Sequence, residues 1–541
     1  MTRALLAAVL FAAAPAAAQQ VDRPRLIVAI SVDQFSADLF AQYRQHFTGG
    51  LRRLSQGAVF PSGYQAHAAT ETCPGHSTIL TGARPARTGI IANNWYDLGA
   101  ARTDKYIYCA EDPRVPGSSS ERYTVSPFHL RVPALGDLMR RADGGSRVVA
   151  IAGKDRAAVM MGGHGPSQRW WWGGQSFVSH AGAIEPNAVR DANGEVAAAL
   201  SRAGEPRPLP EICEGRDDPI AIPGRDDPVG AGRFARSAGD RGAFRASPDF
   251  DAATLALARG LIGEMRLGRG AASDLIAIGL SATDYVGHGF GTEGAEMCIQ
   301  LLALDRMLGD FFQALDRERI DYVVMLTADH GGHDLPERIV LQAGGDAARA
   351  DPGLRATAMG EALGRRLRLQ GPVLIGDGTF GDVYVDRALP PRTRARVLAE
   401  AVAAYRAHPQ VEAAFTRAQI AAAPIPTGPP DSWTLIQRAR ASFDAARSGD
   451  FYVMLKPRIT PIPAPPRNSV ATHGSVWDYD RRVPILFWRR GMAGFEQPLA
   501  VETVDIMPTL AALIGLPLVP NSVDGRCLDL DPGPETTCPA R

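Results

Sequence analysis

Four short runs set the pattern of this chain: RLIVAISVDQF (residues 25–35), SRVVAIAGKDR (146–156), DLIAIGLSATDYVGHGFG (274–291) and DYVVMLTADHGGHD (321–334). Each is a near-continuous apolar, β-branched stretch of strand length that ends abruptly in ionisable residues. A strand without polar alternation has no wet face, so it belongs in a mostly parallel sheet covered by helices on both sides. The predicted fold is therefore α/β, a three-layer αβα sandwich around a mostly parallel sheet. Ligands of such sheets sit beyond the carboxyl ends of the strands. There the runs deliver Asp33, the pair Lys154 and Arg156, then Asp284 with His288, and Asp329 with His330. One such coincidence means little; four make a site.

Between these runs the text is less regular. Residues 160–250 are rich in Gly, Pro, Asp and Arg and contain RWWWGG, which reads as a loop-rich insertion. Residues 370–470 alternate DVYVD, PPRTRARVLAEAVAAYRAH, VEAAFTR and FYVMLKPR, which reads as a small inserted α+β subdomain. Near the end, VETVDIMPTLAALIGLPL has helical apolar spacing and predicts a helix lying on the sheet.

The first residues, MTRALLAAVLFAAAPAAAQQ, have an early arginine, a short apolar run and a small-residue end. They read as a secretory signal at 1–18, leaving 19–541 as the mature chain, secreted or periplasmic and most simply in a Gram-negative periplasm. No other stretch is long and apolar enough to span a bilayer. Lys plus Arg and Asp plus Glu both total 58, which excludes a general attraction to nucleic acid or an anionic membrane. In an exported chain the six cysteines, with no CxxC pair, read as disulfides rather than thiolate metal sites. Cys527 lies close enough in sequence to Cys538 to staple the tail, and Cys73 with Cys109 forms a plausible second bridge.

Asp33, Asp284 and Asp329 with His288, His330 and His473 (in VATHGS) give three carboxylates and three imidazoles, a donor mixture that suits zinc. A further stretch, HAATETCPGHSTILTG (67–82), places Thr70, Thr72 and Cys73 within four positions. Cysteine is intrinsically the better nucleophile, but a bridged sulfur does no chemistry.

Taken in order, VDQF, TETCPGHSTILTG, ATDYVGH, TADHGGHD and ATHGS resemble the alkaline phosphatase superfamily, and most nearly its bacterial phosphatases with a threonine nucleophile. The resemblance covers nearly the whole mature chain and implies one catalytic domain carrying both insertions. It implies two zinc ions, one held by Asp284, His288 and His473 and the other by Asp33, Asp329, His330 and Thr72. It also implies that Thr72, in a T-x-x-G-H turn opening a helix, is the nucleophile and passes through a phosphothreonine intermediate. Zinc coordination would make its otherwise inert hydroxyl an alkoxide. The sulfatase branch needs C-x-P-x-R, whereas this chain reads CPGHS. Family spacing makes Asn93, rather than Asn94, the amide that contacts phosphate, and members of this group point to a monomer acting on small phosphate monoesters.

The rival within the superfamily is a nucleotide pyrophosphatase or phosphodiesterase. GKDR decides between them: Lys154 and Arg156 match a pair that grips phosphate in the threonine phosphatases and that the diesterases generally lack. Two zinc ions balance three aspartates and a Thr72 alkoxide, so the pair adds the two positive charges that match a monoester dianion. A diester carries only one negative charge, and an unmatched buried charge is costly. A non-enzymatic alternative, a phosphate- or metal-binding relative, would lack a ligand or the nucleophile; here every expected group is present. His76 reads as packed within its helix start and His333 as support for the metal loop. His164 and Trp170 to Trp172 lie where they could edge a substrate entrance, although a tryptophan cluster more commonly packs as a small core.

Overall fold

The computed structural model describes residues 23–466 and 468–539; the signal segment expected at 1–18 lies outside them. The four apolar runs become four neighbouring strands of one sheet. The principal strands of that sheet are β1 (Leu26–Val32), β2 (Ala58–Tyr64), β3 (Val148–Ala152), β4 (Gln168–Trp172), β5 (Asp274–Leu280), β6 (Tyr322–Thr327) and β7 (Arg482–Arg489). Their order across the sheet is β2, β7, β6, β1, β5, β3, β4, and short strands complete ten. From β6 through β4 every pairing is parallel, with Leu26 opposite both Asp274 and Tyr322 and with Val148 opposite Leu275. β7 breaks the rule, running antiparallel to both β2 and β6.

β1 explains the layering. Every one of its residues is buried. Leu26, Val28, Ile30 and Val32 join one hydrophobic cluster, whereas Ile27 and Ala29 join another. Successive strand side chains point to opposite faces, so the two clusters are the two sides of the sheet. One holds helices Asn187–Leu200, Pro248–Glu264 and Ala295–Arg317; the other holds Leu135–Ala142 and Ile506–Leu513. This is the three-layer arrangement predicted. The terminal helix lies on the sheet through Ile506, Met507 and Leu510, each contributing roughly 1.5–3 kcal/mol by leaving water.

One segment differs in texture from expectation. Residues 160–250 contain β4 and a helix of 14 residues, Asn187–Leu200, both packed into the main core. The three tryptophans sit on β4 and are 4 to 7% exposed, so they are sheet residues first. Gly, Pro and Ser in the surrounding turns masked a strand only five residues long. Farther on, Leu374–Ile375, Gly381–Val385, Phe451–Leu455 and Val411–Thr416 form a separate four-stranded antiparallel sheet. It has a core of its own around Val383, Val397, Tyr405 and Phe451.

Three disulfides, Cys73–Cys109, Cys213–Cys298 and Cys527–Cys538, use all six cysteines. Among the described residues no helix is long and apolar enough to cross a membrane.

Candidate active site

The carboxyl ends of β1, β3, β5 and β6 converge, and they do so through backbone geometry before any side chain acts. Asp33 continues the sheet by donating its N–H to Leu280 O at 2.9 Å. The chain then turns at Gln34, whose φ of 64° is left-handed and costs roughly 1–2 kcal/mol in a residue with a Cβ. That turn aims the Gln34 N–H at Asp329 Oδ1, 3.1 Å away, joining the ends of β1 and β6. The Gln34 side chain occupies space that glycine leaves open in DYVGH: a Cβ on Gly287 would stand 1.6 Å from Gln34 Oε1.

Asp284 and His288 lie one turn apart on helix Ala282–Phe290 and so share a face. His473, distant in sequence, is brought to them by the chain just before it: Val470 and Ala471 donate their N–H groups to His288 O at 2.7 and 3.3 Å. The imidazole orientations are then set by carbonyls. Nδ1 of His288, His330 and His473 lies 2.8–2.9 Å from the oxygens of Ala471, Gly331 and Thr70 respectively. A carbonyl only accepts, so each Nδ1 carries the proton and each Nε2 offers its lone pair.

Those lone pairs face carboxylates. Nε2 of His288 and of His473 each lie 3.4 Å from Asp284 Oδ1, and Nε2 of His330 lies 3.2 Å from Asp329 Oδ2. His76 fills the space between Asp33 and Asp329, at 3.3 and 3.2 Å. Yet Asp33 Oδ1, Asp284 Oδ1, Asp329 Oδ2 and Nε2 of His330 and His76 are buried without any hydrogen bond. Buried acceptors close together and unpaired are what a cation would satisfy. Two tetrahedral ligands about 2.0–2.1 Å from zinc stand about 3.3–3.4 Å apart, close to these spacings. Two ligand groups follow from the geometry, Asp284–His288–His473 and Asp33–His76–Asp329. The second brings in His76, which sequence reading set aside as a packed helix residue. His330 sits beside both groups, 4.0 Å from Asp284 Oδ1 and stacked on His473 with ring centres 3.5 Å apart.

In the Asp284–His288–His473 group charge states favour the same use. Burial holds the His288 imidazole down to about 4, against the pull of Asp284, so it stays neutral. Burial works against ionisation of Asp284 too, but Lys154 and His288 outweigh it and hold the carboxyl well below its usual range. Neutral imidazole beside ionised carboxylate is the ligand state a divalent cation needs.

Thr72 opens helix Thr72–Ile79. Gly75 lets that helix dock on β6, since a Cβ there would meet Asp329 O at 1.9 Å. Thr70 is a loop hydroxyl, donating to Ser475 O at 2.7 Å, and the Cys73 sulfur is bridged. Asn93 Oδ1 accepts the Cys73 N–H at 2.8 Å, which commits that oxygen and leaves the Nδ2 donors available. Arg156 Nη2 lies 3.5 Å from Thr72 Oγ1. Lys154 is placed differently: its Nζ joins Asp284 (2.6 Å) and Asp33 (3.0 Å), one carboxylate from each group. A cleft of about 390 Å³ opens over Thr72, with Asn93, Arg156, His288 and His473 on its inner part. Its outer wall, including Asp377, Phe380 and Tyr384, belongs to the small antiparallel sheet and the loop before it.

Several contributors had no sequence signal, because only folding brings them to the site. Asp155 accepts the hydroxyls of Tyr108 (2.7 Å) and Tyr123 (2.9 Å) and steadies the turn that carries Arg156. Glu71 accepts the Asn93 N–H at 2.6 Å. His333 and His164 lie aside, against Thr460 and against Asp137 and Leu130.

Asp251 holds the start of helix Ala282–Phe290, accepting from Ala282 N at 3.0 Å and Gln300 Nε2 at 2.9 Å. Burial pushes its carboxyl up from 3.8 to about 7. The folded state therefore binds this proton more tightly than the unfolded chain does. Its contribution is full below about 4 and is lost as pH rises through about 7. Asp251→Asn should flatten the fall in Tm across that window, read by thermal melts at stepped pH.

Comparison with known proteins places this geometry among phosphate-ester hydrolases. The family model for type I phosphodiesterase / nucleotide pyrophosphatase matches residues 27–475. Alkaline phosphatase PhoK of Sphingomonas sp. is 58% identical over 519 residues, covering 95% of this chain and 92% of that protein. Alkaline phosphatase PhoD of Zymomonas mobilis is 49% identical over 522 residues, covering 96% and 90%. The crystal structure of wild-type alkaline phosphatase PafA superposes with a TM-score of 0.81 at 25% identity, covering 94% of this chain and 99% of that one.

Proposed function

The chain belongs to the type I phosphodiesterase / nucleotide pyrophosphatase family of the alkaline phosphatase superfamily, and from that premise we propose that it is an exported phosphomonoesterase, an alkaline phosphatase working through phosphothreonine at Thr72. The observation that carries this reading is the meeting, at one cleft, of the Thr72 hydroxyl, the Arg156 guanidinium and two groups of unpaired carboxylate and imidazole donors.

Asp284, His288 and His473 would hold one cation, and Asp33, Asp329, His330 and Thr72 the other, with His76 bracing the second group. Nitrogen and carboxylate donors suit zinc. When bound, the ions supply charge neutralisation and lower the pKa of the threonine hydroxyl. Thr72 Oγ1 attacks phosphorus while Asn93 Nδ2 and the Arg156 guanidinium bind the non-transferring oxygens. Lys154, now shared by two ligand carboxylates, supplies the second positive charge of a dianion site. The cleft admits the alcohol portion, which departs on the side away from Thr72. Water then hydrolyses the phosphothreonine, and positioning with charge stabilisation carries most of the rate. Three disulfides support an oxidising compartment and so export. Small phosphate monoesters are the substrate class, and the working unit is a monomer.

The family model favours a second reading, diester or pyrophosphate cleavage. The deciding measurement is the ratio of kcat/KM for an aryl phosphate monoester to that for the matching diester, with zinc-loaded protein at alkaline pH. We expect a ratio far above one, with Arg156→Ala lowering the monoester value about 10–100-fold, the worth of hydrogen bonds to a charged group. A ratio below one makes the protein a diesterase. Absence of turnover on both substrates leaves a binding protein.

A further inference from the structure

Arg156 stands between two cavities. A second hollow, of about 520 Å³, includes Lys154, Arg156, Arg122, Arg245, Trp172 and Tyr285 in its lining. Arg156 is the one lining residue it shares with the cleft over Thr72.

Its chemistry is that of an oxyanion receptor. Four cations, Arg122, Lys154, Arg156 and Arg245, line it against two carboxylates, Asp155 and Glu121, with Lys154 already paired to Asp33 and Asp284. Asp155 is already engaged by two tyrosine hydroxyls and the Arg156 N–H at 2.7 Å, and Glu121 is exposed. Arg245 lies 4.7 Å over the Tyr285 ring, and Lys154 lies 5.2 Å from the same ring. Two guanidiniums of the lining, Arg122 and Arg245, belong to neither metal group nor the cleft over Thr72. An oxyanion among the Arg122, Arg156 and Arg245 guanidiniums forms charge-assisted hydrogen bonds. The aromatic walls lower the local dielectric and strengthen the attraction.

We infer that this hollow is a second oxyanion site that receives inorganic phosphate released at Thr72, so that phosphate and alcohol leave by different sides of Arg156. The inference rests on the phosphomonoesterase reading. The alcohol occupies the cleft, where the ester bond breaks, whereas the freed phosphate is held against the guanidinium that opens on both spaces. Handing the dianion from one face of that guanidinium to the other keeps it paired throughout, avoiding the cost of an unpaired buried charge.

The test titrates metal-loaded protein with inorganic phosphate by calorimetry, for the native chain and for Arg245→Ala and Arg122→Ala, two lining residues outside the cleft over Thr72. The native protein should bind a second equivalent of phosphate. Each variant should weaken that equivalent about tenfold, as loss of one hydrogen bond to a charged group does. Arg245→Ala should also change kcat while leaving kcat/KM for an aryl monoester unchanged, because kcat/KM does not contain product release. A single equivalent in the native protein, or variants that titrate like it, overturns the inference. So does an Arg245→Ala effect confined to kcat/KM for a nucleoside diphosphate, which assigns the hollow to a second phosphoryl group of the substrate. A second equivalent bound by a native protein without monoesterase turnover refutes the functional reading instead.

Discussion

Thr72→Ala should lower turnover of an aryl phosphate by on the order of 10³-fold or more, the scale expected when a covalent nucleophile is lost. The variant should still fold and retain metal, because Asp33, Asp329, His76 and His330 keep their positions without the hydroxyl. Acid quench of the native protein during turnover should trap phosphate on Thr72, located by mass spectrometry of peptides. Label on any other residue rules out the phosphothreonine mechanism. Cys73→Ser is the informative contrast. It opens the bridge to Cys109 and should cost stability of about 2–5 kcal/mol while sparing the nucleophile. A loss of turnover in folded Cys73→Ser as large as that in Thr72→Ala counts against the threonine.

Gly75→Ala should be nearly as damaging, through geometry alone. The added methyl would stand 1.9 Å from Asp329 O and 2.6 Å from its carbonyl carbon, both backbone atoms that cannot rotate aside. Either the helix carrying Thr72 or the strand end carrying Asp329 has to move. A displacement near 1 Å in such a site costs about 10²-fold in rate. Equilibrium dialysis should show weakened zinc retention alongside the lost activity. Gly263→Ala is the control: it lies within helix Pro248–Glu264 and its Cβ would meet nothing within 4 Å. It should leave both readouts unchanged. Wild-type metal retention and turnover in Gly75→Ala would mean that the helix start tolerates far more movement than its packing suggests.

Much of the site was legible because its main carriers are local. Asp33, Asp284, Asp329 and Lys154 each follow a buried strand closely, and the hydrophobic runs mark those strands plainly. Even His473, far along the chain, stood out through its own short motif. The place of His76 between two carboxylates was not legible, for a physical reason. Sequence shows it at a helix start, but only the parallel pairing of β1 with β6 brings Asp33 and Asp329 to either side of it. Asp155 and Tyr123 were invisible for the same reason, since their contact joins a loop to a turn. β4 was hidden by composition: five strand residues sit among Gly, Pro and Ser that dominate any window around them. Lys154 was read as a phosphate contact; its bridging of two carboxylates depends on charges assembled from three strands.

The small antiparallel sheet gives the cleft wall a core of its own on one face, while Tyr452 and Met454 on the other pack with Ala68 and Val476 beside the floor. Its residues pack around Val383, Val397 and Phe451, whereas the metal-facing residues stand on the main sheet. Mutations among Val383, Val397 and Phe451 therefore fall on a core that the main sheet does not share, whereas those at Tyr452 or Met454 reach the loop before Thr72. In evolutionary terms the chain has two dials that touch at one seam: which alcohols it admits, and how it breaks their bond to phosphorus. Descendants can explore new phosphorylated compounds by drifting at one while selection holds the other still.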